Sequence, residues 1–401
     1  MKQNVLVFSS LFPSKVTPNN GLFIRERMFR VAKHTNLIVV SPKPWFPGQR
    51  LLRLFKKNYR PQPERVEVQQ GITVYFPRFL SFPGVFRNLD AFMMFICCFY
   101  LVKKLKNKHH IDIIDSHFTY PDGLAATYLA QKLSLKSVIT LRGTEIPHSK
   151  SISRKKQLLL AWKQADKIFS VSDSLRRHAI ALGADAEKFK VIGNGIDTNK
   201  FKPLEKAYAK KLLDIDTDTK VLITVGGLVE RKGFHRVIAC IPELLKEHPK
   251  LLYLVVGGPS AEGNFESHIR ALVKKLNVTN NVRFLGPIKP QDLNQPLSAA
   301  DIFVLSSGNE GWANVILEAM ACGTPVIASD VGGNSEVINS EMLGKIIPFD
   351  NHEALLEALH QGLQKDWDSN TLTNYAQENH WNNRIDLILN EYRSLTKQDV
   401  L

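Results

Sequence analysis

Four hundred and one residues at 45.3 kDa exceed one ordinary domain and fit two of roughly 150–200 residues each. An apolar fraction of 44% with 23% charged residues excludes wholesale disorder, and 23 Gly and 20 Pro spread without a period exclude a collagen-like or low-complexity chain. The net charge of +15 is uneven: Lys and Arg outnumber Asp and Glu more than twofold in residues 1–200, whereas residues 201–401 are mildly acidic. A basic half of this kind is drawn to an anionic surface such as inner-leaflet lipid, lipid phosphate or nucleic acid.

The chain opens on MKQNVLVFSS, a strand-like stretch without a signal-peptide layout. Cys97, Cys98, Cys240 and Cys322 form no CxxC and suggest neither a disulfide framework nor zinc. Both features lead us to expect a soluble cytoplasmic protein. In the first half, strand-like runs are read at Val5–Ser9, Leu37–Ser41, Thr73–Phe76, Ile111–Ser116, Ser137–Leu141 and Ile168–Ser172. Between them, Arg50–Arg60 interleaves Leu and Phe with five cations, which suits an interfacial amphipathic segment or a helix with a solvated basic face. Ala91–Val102 is apolar throughout and is followed by Lys103, Lys104, Lys106 and Lys108. It falls short of the ~20 residues of a spanning helix, so a buried or interfacial helix is expected.

The second half repeats the alternation, with runs at Val221–Val225, Leu251–Val256, Val282–Leu285, Ile302–Leu305, Pro325–Ala328 and Lys345–Ile347. Near-continuous apolar strands separated by helical stretches predict parallel sheets covered on both faces, hence an α/β fold of two doubly wound, Rossmann-like domains. The polar stretch Lys202–Lys220 marks the break, and Trp381–Leu395 has the apolar spacing of a C-terminal helix. In such folds ligands bind beyond the carboxyl ends of strands, so polar residues just after each strand are the candidates for chemistry.

Three such loops stand out. Asn309–Gly323 (NEGWANVILEAMACG) follows a strand, with Glu310 in the loop and a helical pattern from Asn314 onward that includes Glu318. The start of that helix would offer unpaired N–H groups and a positive dipole end to an anion. Eight residues on a helix are about two turns plus 80°, so the two glutamates would address different parts of an extended ligand. Val225–Gly233 (VGGLVERKG) carries Arg231 and Lys232, two adjacent cations able to neutralise a diphosphate, in no P-loop register. His117 ends a strand and opens HFTYPDG. Asp214–Asp218 (DIDTD) tempts a metal reading, but Thr219 and Val225 stand where a calcium loop needs Gly and Glu, so a solvated turn and no metal are expected.

Taken in order, FPSKVTPNNGLF, SHFTYPDG, LRGTE, SVSDSL, GNGID, VGGLVERKG and the E-x7-E pair followed by AMACGTPVIAS resemble the retaining family 4 glycosyltransferases of the GT-B fold, in particular bacterial members that build exopolysaccharide, capsule or envelope glycans. The resemblance implies two Rossmann-like domains facing across a cleft. Residues 1–200 would bind the acceptor, 201–378 the nucleotide sugar, and 379–401 would form a helix packing back on the first domain. It further implies that Glu310 contacts donor-sugar hydroxyls, that Glu318 holds the ribose, and that backbone amides around Trp312, Ala313, Asn314 and Val315 receive the diphosphate together with Arg231 and Lys232. His117 would stand near the reacting sugar. Gly21 falls in the family's glycine-rich first loop, here with one glycine where many members have two. Arg142 and Glu145 replace the His and Asp of the usual His-Gly-x-Asp, which leaves Arg142 between donor and acceptor. Gly227 and Gly258 would lie by the nucleotide.

The function expected is retaining, metal-independent transfer of a sugar from a UDP- or GDP-linked donor, with no cofactor. The acceptor would be a growing glycan carried on polyprenyl diphosphate, and the protein would sit peripherally on the inner face of the cell membrane, without a nucleic-acid partner. A sugar-nucleotide epimerase, or a non-catalytic glycan- or nucleic-acid-binding protein on the same scaffold, are the alternatives.

Overall fold

The apolar runs become strands of two separate sheets in a computed structural model that describes residues 2–55, 59–260 and 262–397. The chain divides into two compact units, one running to Asn194 and resuming at Arg384, the other Gly195–Asn383. The first unit contains β1 (Asn4–Phe8), β2 (Asn36–Val40), β3 (Lys43–Trp45), β4 (Val66–Gln69), β5 (Ile72–Tyr75), β6 (Arg78–Leu80), β7 (Ile113–His117), β8 (Lys136–Leu141), β9 (Lys167–Ser170) and β10 (Phe189–Val191). Eight of them form a sheet in the order β10-β9-β8-β7-β1-β2-β5-β4, while β3 and β6 pair apart. All neighbours in the large sheet are parallel except β4 and β5, an edge hairpin turning at Gln70-Gly71 (φ 50° and 80°), so the wholly parallel expectation is corrected at that edge. Every residue of β7 is buried, as a strand covered on both faces requires.

The second unit has a six-stranded, all-parallel sheet of β11 (Lys220–Val225), β12 (Leu251–Val256), β13 (Val282–Gly286), β14 (Ile302–Leu305), β15 (Val326–Ser329) and β16 (Gly344–Ile347), in the order β13-β12-β11-β14-β15-β16. Alternate residues feed two cores. Val221, Ile223, Phe303 and Leu305 pack with Leu317 and Met320 on one face, and Leu222, Ile302 and Val304 pack with Phe234, Ile238 and Leu359 on the other.

The strand orders fix where ligands can sit. In the first sheet the chain builds outward from β1 through β2 and then restarts at β7 on β1's other side; in the second it builds from β11 to β13 and restarts at β14. The loops leaving β1 and β7, and those leaving β11 and β14, therefore flank topological switch points, where doubly wound sheets open a crevice.

Ala91–Val102 lies inside a 20-residue helix, Asp90–His109, whose Met94, Cys98, Val102 and Leu105 face the core. Phe92, Ile96 and Tyr100 stay exposed on its outer side, at helical spacing. No helix among the described residues is long and apolar enough to cross a membrane. Of Arg50–Arg60, residues Lys56, Lys57 and Asn58 lie outside the described residues, and the helix Gln49–Phe55 precedes them. All four cysteines are free thiols. The final helix, Trp381–Lys397, carries Tyr392 into the first unit, where its hydroxyl donates to the buried carboxylate of Asp115 on β7 and the neighbouring Glu391 pairs with Lys167 at 3.3 Å.

Candidate active site

In the second unit, the loop leaving β11 is shaped by its glycines. Gly233 adopts φ 76°, and a Cβ there would fall 1.9 Å from the Ser306 carbonyl oxygen, so only glycine lets this loop lie against the loop leaving β14. The Gly308 amide donates to the Arg231 carbonyl at 2.8 Å and ties the two together. Gly332 performs the same service beneath Glu310, whose carbonyl oxygen would be 1.7 Å from a Cβ at that position.

Those clamps place two cations on one carboxylate. Lys232 Nζ lies 2.7 Å and Arg231 Nη1 3.2 Å from Glu310 Oε1, and Glu310 is buried. Arg231 Nη1 also donates to the Asn309 carbonyl at 2.6 Å. The rest of its guanidinium is held by Glu262, Nε to Oε2 at 2.8 Å and Nη2 to Oε1 at 2.7 Å, which pushes the Arg231 pKa further up and Glu262 down. Glu262, on the loop after β12, is a site residue that the motif order did not disclose.

Beyond the cluster, Ala313 precedes the helix Asn314–Ala321, which has no acidic residue in its first turn and no side-chain cap, so its positive end is not offset locally. Trp312 and Val315 pack on the core, with Trp312 Nε1 buried and without a hydrogen-bond partner among the described residues; Glu318 is the fifth helical residue, half-buried. Gly227 and Gly258 come together, for the Leu228 amide donates to the Gly258 carbonyl at 2.8 Å and a Cβ on Gly227 would meet Ser260 at 3.0 Å.

The first unit assembles a second set. His117, fully buried at the end of β7, has Nδ1 3.1 Å from Nη2 of Arg142, which leaves β8. A guanidinium only donates, so Nδ1 accepts and the neutral ring carries its hydrogen on Nε2. Burial, and then the charge of Arg142, hold the imidazole well below its usual 6.5, so it stays neutral. Nε2 is buried without a partner among the described residues. His117 thus presents a single N–H donor. Arg142 is fixed in turn by Asn194 Oδ1 at 2.7 Å and by the Phe23 ring 5.2 Å beneath it.

Phe23 belongs to the helix Leu22–Val31, which Gly21 opens at φ 72°; a Cβ on Gly21 would lie 2.5 Å from the Leu11 carbonyl oxygen. Glu145, fully buried, accepts from the amides of Gly143 (2.8 Å) and Thr119 (3.2 Å) and so braces the loops on either side of His117. Asn194 belongs to the GNGID stretch read from the sequence, but its hold on Arg142 emerges only in the fold. His117 and Arg142 therefore meet in the first unit, with Gly21 opening the helix whose Phe23 lies under Arg142, and Arg231, Lys232 and Glu310 meet in the second.

Two parallel-sheet α/β units with cations and carboxylates at their switch points define a class. A family model described as Glycosyltransferase Family 4 matches residues 32–200, and one described as Glycosyl transferases group 1 matches residues 205–379. The chain is a glycosyltransferase of the GT-B type. Among its relatives is a Bacillus subtilis (strain 168) protein named for teichuronic acid biosynthesis, the glycosyltransferase TuaC, 29% identical over 88% of each chain. A D-inositol 3-phosphate glycosyltransferase of Kineococcus radiotolerans is 36% identical over 42% of this chain and 40% of its own. Among solved structures, Anabaena Alr3699/HepE in complex with UDP superposes with a TM-score of 0.74 at 19% identity, covering 98% of this chain and all of that one. Sucrose-phosphate synthase from Thermosynechococcus elongatus gives 0.77 at 19% identity, over 99% of this chain and all of that one.

Proposed function

We propose that the protein is a retaining, metal-independent hexosyltransferase, using a nucleotide-diphosphate sugar to extend a lipid-linked glycan in surface polysaccharide synthesis. The observation that carries this reading is the Arg231–Lys232–Glu310 cluster at the switch point of the second sheet. Arg231 and Lys232 neutralise the donor diphosphate, the amides from Trp312 to Val315 complete its cradle, Glu318 holds the ribose and Glu310 turns to the sugar hydroxyls. The UDP complex of Anabaena HepE and the naming of TuaC support a nucleotide donor and an envelope-glycan product.

In the transfer step the bond from the sugar's anomeric carbon to the diphosphate oxygen breaks while a bond to the acceptor oxygen forms on the same face. The acceptor's proton passes to the departing diphosphate, whose growing charge falls on Arg231 and Lys232. His117, neutral with its hydrogen on Nε2, positions a sugar hydroxyl rather than accepting a proton.

A peripheral site on an anionic inner membrane leaflet is part of the same reading. Its support is an exposed apolar set in the first unit, Leu54 (74%), Phe55 (87%), Phe86 (70%) and Tyr100 (82%), on segments that also carry Arg50, Arg53, Lys103 and Lys104.

Calorimetric titration with UDP-, GDP- and ADP-sugars tests the donor site. One base should bind, and Glu318→Ala should lose it. A folded protein that binds none of them would overturn the reading.

A further inference from the structure

Beside the His117 loop the first unit encloses a separate cavity of about 170 Å³. Arg60, Arg87, Arg154 and His148 line it, opposed by a single carboxylate, Asp90. Three segments distant in sequence thus bring three arginines to the lining of one small space. Neither the donor cluster nor the His117–Arg142 pair uses any of them.

Arg60 and Arg154 are held in place, whereas Arg87 is anchored through its backbone and pairs its half-exposed side chain with Asp90 at 3.7 Å. Arg60, at φ 43°, has its carbonyl bound by Gln49 Nε2 (3.0 Å) and Arg53 Nη2 (2.5 Å), and its own Nη1 donates to the Ser81 carbonyl at 2.6 Å. The Tyr120 hydroxyl donates to the Arg87 carbonyl at 2.6 Å, and Arg154 lies 3.8 Å over the Tyr120 ring. Two polar atoms of lining residues, Arg154 Nη1 and His148 Nδ1, are buried without a hydrogen-bond partner among the described residues. A desolvated guanidinium N–H of this kind is costly unless a ligand meets it. The histidine is pushed down by burial and by Arg154, which leaves it neutral beside the guanidinium groups.

The segment that brings Arg87 to the cavity has the opposite character. Arg87 sits between exposed Phe86 and Leu89, with exposed Val85 and Phe92 on either side. A ligand that is multiply anionic at one end and hydrocarbon at the other fits both features. We infer that this cavity holds the diphosphate of a prenyl-diphosphate-linked acceptor, with the prenyl chain lying along the exposed apolar residues of the Val85–Phe92 segment. The inference rests on the transferase reading above and adds the place where the acceptor's anionic end is gripped. Arginine forks suit it because they meet paired phosphate oxygens with two parallel N–H donors.

The test is calorimetric titration of the full chain with farnesyl diphosphate, inorganic pyrophosphate and farnesol. Farnesyl diphosphate should bind the native protein, and Arg87→Gln/Arg154→Gln should weaken it by about tenfold or more per guanidinium. Arg231→Ala should leave that affinity unchanged. Farnesol should bind both proteins weakly and alike. An unaffected double variant, or loss of binding in Arg231→Ala, would overturn the assignment. Pyrophosphate binding as tightly as farnesyl diphosphate would make this a free-anion site and overturn the lipid part.

Arg154→Lys, which keeps the charge but not the fork, guards against a folding defect in the double variant and should lose affinity severalfold; native affinity there would count against the site. Nucleotide-sugar binding measured on the same samples separates the two readings. A double variant that keeps the donor but loses farnesyl diphosphate supports the inference. A native protein that binds farnesyl diphosphate and no donor overturns the transferase reading while the cavity assignment stands.

Discussion

Glu262→Gln should tighten nucleotide-diphosphate binding. The guanidinium of Arg231 is occupied on its outer edge by both oxygens of Glu262, at 2.8 and 2.7 Å, and a diphosphate that takes that edge must first displace the carboxylate. The pair is partly open to water, with side-chain exposures of 30% for Arg231 and 54% for Glu262, so solvent screens it. Exposed pairs contribute about 0.2–1 kcal/mol, with bidentate forks toward the upper end. Abolishing that competition should therefore raise affinity by up to about fivefold at moderate salt. Removing a negative charge beside a multiply negative ligand adds to the gain at low ionic strength, where screening is weakest. Glu262 is held below the usual carboxylate range by Arg231, so it is ionised and competing at neutral pH. Calorimetry of the nucleoside diphosphate at low salt and at roughly 0.15 M salt measures both effects. Unchanged or weaker binding in Glu262→Gln would refute the reasoning and make Glu262 a group that supports the ligand.

Arg231→Ala should slow transfer by about 2–4 kcal/mol, roughly 30- to 900-fold, chiefly in kcat; unchanged turnover in a folded variant would remove Arg231 from the leaving-group role. His117→Ala should slow turnover while His117→Gln, which keeps an N–H near the position of Nε2, retains part of it. The native pH–rate profile should lack an ionisation near 6.5, because burial and Arg142 keep His117 neutral; such an arm, lost in His117→Gln, would contradict this. Asp115 is raised by burial from 3.8 to about 6, despite the Tyr392 hydroxyl. The folded protein then holds a proton on it that the unfolded chain releases, so its contribution to stability falls as pH rises from about 4 to about 6, by about 3 kcal/mol in all. Asp115→Asn should flatten that part of the melting-temperature profile, and an unchanged slope would show the cost to lie elsewhere.

What the sequence disclosed divides along physical lines. The six strands of the second sheet are legible because each is a near-continuous apolar run, the signature of burial on both faces. β3, β4, β6 and β10 escape because they are three or four residues long and of mixed polarity: KPW, VEVQ, RFL and FKV. They are edge or accessory strands, specified by neighbours rather than by local pattern.

The site divides the same way. Arg231, Lys232 and Glu310 stand out as candidates because they follow strand-like runs and because their order resembles the family 4 motifs, and the fold brings the three side chains together. Glu262 cannot, since an acid in the polar run S-A-E-G-N looks like any solvated side chain until the fold returns it to an arginine 31 residues earlier. The basic excess of the first half is the clearest instance. Composition announces that the cations exist, yet Arg60, Arg87 and Arg154 are separated by 27 and 67 residues and meet only because Ser81, Tyr120 and the turn at Arg60 hold them there. A charge count shows only an excess of cations; the convergence of three arginines on one cavity is what turns that excess into the proposal of a diphosphate site rather than a surface merely attracted to lipid.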